Sequence, residues 1–267
     1  MTIEILILFL LLGSFVGFIS GLLGIGGGGI MVPILTSIFL AQGIPIENVV
    51  HLALGTSMAS IIITSFSSMK AHNKNNNVRW DIVKQISVGV VLGTFLATFL
   101  ASKMNSIYLA IFFSLFMAYT AFQMFTNKKI NPNKKIGNNK ELFVVGNGIG
   151  LISALVSIGG GSLVVLYLTL RNIELKKAIG SSAGIALPLS IAGTFGYIIN
   201  GWDYTSIDNY TLGFVYLPAV LVISVMSYFT APYGANFANK LPILKLKRIF
   251  ALLLTILSLK MLITIFY

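Results

Sequence analysis

The sequence predicts an all-α polytopic membrane protein made of two inverted repeats, each a glycine-broken helix hairpin followed by three transmembrane crossings. Three observations lead there. Composition comes first: of 267 residues only 9% are charged, and mean hydropathy is +0.92. Soluble domains carry about 25% charged residues, and apolar runs of about 20 residues, each long enough to cross a bilayer, recur along this chain. The second observation is an internal repeat. The third is a confinement of basic residues to a few loops.

The first apolar run covers residues 3–23. It is too long for a signal-peptide core and leads directly into Gly24-Ile25-Gly26-Gly27-Gly28-Gly29, so it reads as a retained helix. Each glycine costs about 1 kcal/mol against alanine in a helix, so four in succession make a break. A shorter run, Ile30–Leu40, spans only about 16 Å at 1.5 Å per residue, less than a full crossing. It is either a half-helix or one arm of a tilted hairpin. A polar link, Ala41–Asn48, precedes Val49–Ser68; a polar loop from Met69 to Arg79 precedes Ile82–Ser102 and Ile107–Phe125. Residues 1–127 thus form the first membrane repeat, 128–140 a lysine-rich cytoplasmic linker, and 141–267 the second repeat.

The second half restates the first in order. Gly13, Gly17 and Gly21 recur as Gly146, Gly150 and Ala154, and Ser20 as Ser153. Ile25-Gly26-Gly27-Gly28 recurs as Ile158-Gly159-Gly160-Gly161, and Ala53-Leu54-Gly55-Thr56-Ser57 as Ala178-Ile179-Gly180-Ser181-Ser182. Trp80-Asp81 recurs as Trp202-Asp203, followed by an insertion of about 15 residues around 204–218. The four-residue spacing of Gly13, Gly17 and Gly21 puts small residues on one helix face, as close-packed membrane helices require. This predicts that the first helix of each half is central rather than lipid-facing.

Of 18 Lys and Arg, 16 fall in four loops, at 70–84, 128–140, 171–177 and 240–248. Basic loops lie on the cytoplasmic side. With all four inside, residues 141–170 must enter and return as a hairpin, and residues 1–41 do the same from outside. Three crossings per half then invert one half against the other and leave both termini outside. The same basic loops, which orient the protein in the membrane, account for the net charge of +11 without nucleic acid.

Several chemistries are excluded. The chain has no cysteine, so thiolate metal sites and cysteine nucleophiles are absent. Gly24-x-Gly26-x-x-Gly29 matches a dinucleotide fingerprint, but an apolar helix precedes it where a soluble strand is required. No cofactor or metal is expected. A serine hydrolase would have to draw on Ser162 or Ser181 with His51, and no protease pattern joins them. The constellation that remains is the pair of breaks. Half-helix N-termini present free amides and a positive dipole end, which hold anions without burying a lysine. Gly26, Gly27, Gly28 and Gly29 with Gly159, Gly160, Gly161 and Ser162 are therefore the candidate substrate-binding residues. Thr56, Ser57, Ser181 and Ser182 are candidate hydroxyl donors to the same site, against the alternative that they bond their own backbone. His51, at the outer end of a crossing, is a candidate proton or substrate group; His72 falls in the polar loop and reads as solvated. Trp80 and Trp202 read as interface anchors.

Gly21-Leu22-Leu23-Gly24-Ile25-Gly26-Gly27-Gly28 followed by Val32-Pro33, with Ala53-Leu54-Gly55-Thr56-Ser57 and its second copy, resembles the sulfite exporter TauE/SafE family of membrane transporters. Pro188, Gly193, Gly196-Tyr197 and Leu212-Gly213-Phe214-Val215-Tyr216-Leu217-Pro218 extend the resemblance over nearly the whole chain, although Leu166 stands where the first half has Pro33. The resemblance implies a plasma (inner) membrane permease, not an enzyme, for a small sulfur-containing anion such as sulfite, thiosulfate or an organosulfonate. The drive would be an ion gradient, of protons or sodium, or the substrate's own gradient. An anion channel-like pore is the alternative reading. The substrate, the direction of transport and the oligomeric state are left open by the sequence.

Overall fold

The computed structural model describes residues 2–24, 26–126, 136–238 and 243–266, the last stretch without side chains at 243–247 and 249. Ile25 and most of the expected linker, with Lys128, Lys129, Lys134 and Lys135, lie outside the described residues. Ten α-helices are found among those described: α1 (Ile3–Leu23), α2 (Gly28–Ala41), α3 (Ile46–Lys74), α4 (Trp80–Lys103), α5 (Ser106–Thr126), α6 (Asn139–Leu155), α7 (Gly161–Leu170), α8 (Leu175–Asn200), α9 (Leu217–Ala238) and α10 (Ile243–Phe266). The insertion after Trp202 forms a 3₁₀ turn (Trp202–Tyr204) and a small antiparallel hairpin, β1 (Thr211–Leu212) with β2 (Val215–Tyr216).

Six helices, α1, α3, α4, α5, α8 and α9, are long and apolar enough to cross a bilayer. The chain is therefore a multi-pass membrane protein. The arms that follow the glycine breaks are short: 14 residues in α2 and 10 in α7. They reach about 21 and 15 Å, against about 30 Å of hydrocarbon, so each covers part of the membrane depth.

The helices at the centre are α3 and α8. Of their most apolar windows, 83% and 67% of residues are buried, against 44% in α1. The expectation that α1 is central is thereby corrected. Its glycine face is indeed close-packed, but Ile3, Ile7, Leu8, Leu11 and Phe15 cover an exposed face. A small-residue stripe demands one close neighbour, not a surround of them. That neighbour is α9: Gly13 meets Ile223, Gly17 meets Ser227, and Gly21 meets Ala231. Both numbers rise together, so α1 and α9 run parallel. The second half does the same with α6 and α4, where Gly146 lies on Ile86 and Gly150 on Val90.

The other pairings follow from their registers. Central α3 and α8 are antiparallel, with Gly193 on Met58 and Gly180 on Asn77. α9 runs parallel to α3, linked by Thr64 Oγ1 donating to Ser227 Oγ (2.7 Å) and Ser67 Oγ donating to the Tyr228 carbonyl (2.7 Å). α4 runs parallel to α8, with Gly196 on Thr98 and Gly184 on Val83. Exchanging the halves maps α1–α9 onto α6–α4 and α3–α9 onto α8–α4, and leaves α3–α8 as it is.

The polar loop expected from Met69 to Arg79 is also corrected. α3 continues to Lys74, and His72 is buried within it. Polar residues that lipid would not accept are accepted here because α3 is surrounded by other helices.

Candidate functional site

Each broken helix ends in a left-handed turn that restarts the chain. In the first break Gly24, Gly26 and Gly27 take φ of 68, 75 and 80°; in the second, Ser157 and Gly160 take 47 and 70°. Ser157 stands at the position of Gly24, and Gly160 at that of Gly27, so the two breaks share left-handed residues at these two positions, while Gly159, at the position of Gly26, is not left-handed. Helices α2 and α7 then begin at Gly28 and Gly161. No side chain caps either start, and the first amides of a helix have no partner within it.

The two breaks touch. A methyl on Gly26 would lie 3.0 Å from Gly159 Cα, and one on Gly28 would run into the Ser157 carbonyl oxygen. Gly26–Gly29 and Gly159–Gly161 are all buried, so this conformation is closed at its centre. Each break is also held by the central helix of the other half. Ser182 Oγ donates to the Gly24 carbonyl (2.9 Å), and Ser157 Oγ donates to the Leu54 carbonyl (3.1 Å).

The predicted hydroxyls divide by what they do. Thr56 Oγ1 accepts the backbone N–H of Tyr216 (2.9 Å), and Ser181 Oγ accepts that of Arg79 (2.9 Å). These are matched positions, since Tyr216 and Arg79 immediately precede α9 and α4. Each hydroxyl thus holds the start of a crossing helix and keeps its own proton to donate. Ser57 Oγ and Ser162 Oγ are buried with no partner among the described residues. A buried polar atom left unpaired is costly unless something fills the role.

His51 is placed elsewhere. Its Nε2 donates to the Ala101 carbonyl (2.9 Å), and its Nδ1 lies 3.1 Å from Ser106 Oγ, which donates to the Glu47 carbonyl (2.6 Å). The ring joins α3 to the α4–α5 corner and stacks at 5.0 Å on Phe214 of the β1–β2 turn. Sequence reasoning missed His72 and Tyr197. His72 Nε2 donates to the Gly21 carbonyl (2.8 Å), and the Tyr197 hydroxyl donates to the Ala154 carbonyl (3.0 Å). The repeat itself held the signal, because both residues lie fifteen positions beyond the Ser57/Ser182 pair.

A separate groove of about 560 Å³ lies between α3 and α9, lined by Ile63, Leu221, Val225, Tyr228 and Phe229. Its apolar wall suits lipid and is remote from the breaks in chemistry as well as in lining.

Six helices long and apolar enough to cross a bilayer, packed around two buried helix breaks, define a polytopic helical membrane protein. The sulfite exporter TauE/SafE family profile matches residues 9–261, and the chain belongs to that family. It is 36% identical to a probable membrane transporter protein of Haemophilus influenzae over 96% of this chain and 97% of the relative. It is also 29% identical to a probable membrane transporter protein of Methanocaldococcus jannaschii, over 88% and 86% of the two chains. A third relative, the probable membrane transporter protein YdhB of Bacillus subtilis, is 27% identical over 91% and 92%. No solved structure matches the chain. The protein is thus a transporter embedded in a membrane and carrying a small-molecule substrate, not an enzyme.

Proposed function

We propose that the chain is a secondary permease for a small sulfur-containing anion, of the class of sulfite, thiosulfate or an organosulfonate. The observation that carries this reading is the meeting of two uncapped half-helix starts at one buried point. Their amides and dipole ends favour an anion and supply no ligand for a cation. Gly26–Gly29 and Gly159–Ser162 hold it in this reading, with Ser57 and Ser162 adding donors that have no partner among the described residues, and with Thr56, Ser181 and Ser182 shaping the wall. His51 belongs to the corner it ties together.

The halves are inverted repeats in this reading, and the crossed registers support it: α1 parallels α9, α9 parallels α3, and α3 opposes α8. Basic loops on the cytoplasmic face of a plasma membrane then leave both termini outside. One half rocking on the other exposes the site alternately. The buried centre favours such a cycle over a permanently open pore.

The test is thermal unfolding of the purified protein with sulfite, thiosulfate, methanesulfonate, taurine and carboxylates, followed by counterflow in proteoliposomes. Stabilisation by the sulfur oxyanions and saturable counterflow are expected. Stabilisation by none of them would overturn the anion site, and single-channel currents would overturn the carrier.

A further inference from the structure

Two ring side chains hold the ends of the broken helices, one in each half. His72 donates to the Gly21 carbonyl and Tyr197 to that of Ala154. Gly21 and Ala154 each lie three residues before the first left-handed residue of their break, Gly24 or Ser157. Both carbonyls belong to the last turn of their helix, where intrahelical donors run out and where water is scarce; that of Ala154 also takes the Ser157 amide at 3.4 Å. The task requires one buried donor, and a phenol supplies it in the second half. The histidine in the first half brings a second nitrogen.

That nitrogen is unused. A carbonyl only accepts, so Nε2 carries the ring proton and Nδ1 of the neutral ring is a bare lone pair. Nδ1 has no hydrogen-bond partner among the described residues, and His72 is only 2% exposed. We infer that His72 is the proton-binding group of the transport cycle, taking one proton at Nδ1 for each anion carried. This rests on the permease reading above.

The geometry suits both protonation states. Adding a proton at Nδ1 leaves Nε2–H on Gly21, so the clamp survives and becomes charge-assisted. The new charge sits at the C-terminal end of α1, where the helix dipole favours a cation and where α1 has no basic residue of its own. Gly24 is one turn further, about 4.5 Å along the axis. One imidazolium there offsets one negative charge on an anion at the breaks, in a region where an unpaired charge is expensive. The ring takes its proton from one aqueous face and returns it to the other with the anion, ending neutral. Among the described residues no other charge competes. Lys70 and Lys74, on the same helix, are exposed; Arg79 and Asp81 pair with each other at the start of α4. α9, packed against Gly21, has no charged residue over Leu217–Ala238, only Tyr228 and Tyr233 as titratable groups, and α1 has none beyond Glu4 at its far end.

The experiment uses the full chain in proteoliposomes with the membrane potential clamped at zero. Thiosulfate and methanesulfonate serve as radiolabelled probes, because their charges do not titrate near neutral pH. Exchange without any gradient reads the permease alone; if neither probe exchanges, the permease reading falls, and this inference with it. Where exchange occurs, one pH unit, acid outside, should drive accumulation up to about tenfold, with acidification of an internal pH dye. His72→Gln keeps a donor for Gly21 without a titratable nitrogen, and His72→Tyr copies the clamp of Tyr197. Either should exchange without accumulating. His51→Gln, which alters the chain's other histidine, should still accumulate. Exchange by the parent without accumulation, tenfold accumulation in an exchanging His72 variant, or its loss in an exchanging His51→Gln would overturn the inference while leaving the permease standing.

Discussion

Gly28→Ala is the sharpest perturbation of the closed centre. The added methyl would sit 2.6 Å from the Ser157 carbonyl carbon, closer still to its oxygen, and 3.1 Å from Ile61 Cδ1. Carbon–carbon contacts are optimal at about 3.5–4.0 Å, so the Ser157 carbonyl carbon must retreat by roughly 1 Å and its oxygen, which lies nearer, by more. A side chain could rotate away, but this obstacle is main chain. It is also tethered, since Ser157 Oγ holds Leu54 and its amide turns back to Ala154. Overpacking costs about 1–3 kcal/mol, and a clash with backbone belongs near the upper end. A penalty of about 3 kcal/mol on the closed form is roughly 150-fold in its equilibrium with open forms. The chain has no native cysteine, so Ser162→Cys gives a clean reporter for maleimide labelling. Gly28→Ala in that background should raise the labelling rate by one to two orders of magnitude and lower the unfolding temperature. Gly148→Ala is the control, because nothing lies within 4 Å of its added methyl. Labelling and anion exchange in Gly28→Ala equal to the parent would refute the contact between the breaks.

Other outcomes follow from the same packing. Gly17→Ala drives a methyl against Ser227 Cα at 2.5 Å, so thermal unfolding in detergent should show a loss of about 1–3 kcal/mol. Thr56→Val leaves the Tyr216 amide, and Ser181→Ala the Arg79 amide, without the acceptor each now has; each should lower stability by about 1–3 kcal/mol, and Thr56→Ser should restore it. The Arg79–Asp81 pair is exposed at 38% and 56%, so Asp81→Asn should shift stability by less than about 1 kcal/mol, with any shift shrinking further in high salt.

The sequence by itself determined the helical membrane class, the internal sequence repeat and the two glycine breaks, at 24–29 and 159–161. Each of these is local. Hydropathy over about 20 residues decides whether a segment enters lipid, and glycines in succession decide where a helix cannot continue. The repeat is a comparison of the chain with itself. Tertiary structure decided which helices are central, because burial depends on neighbours rather than on hydropathy. α3 carries serines, threonines and two histidines that look marginal for lipid, yet it is the most enclosed helix. Tertiary structure also decided what each hydroxyl does. Thr56 and Ser57 are adjacent in sequence, but one accepts an amide from 160 residues away while the other has no partner among the described residues. His72, expected in a solvated loop, is folded into the core because α3 runs nearly two turns further, to Lys74. Its bond to Gly21 joins residues 51 positions apart, and only packing brings them together.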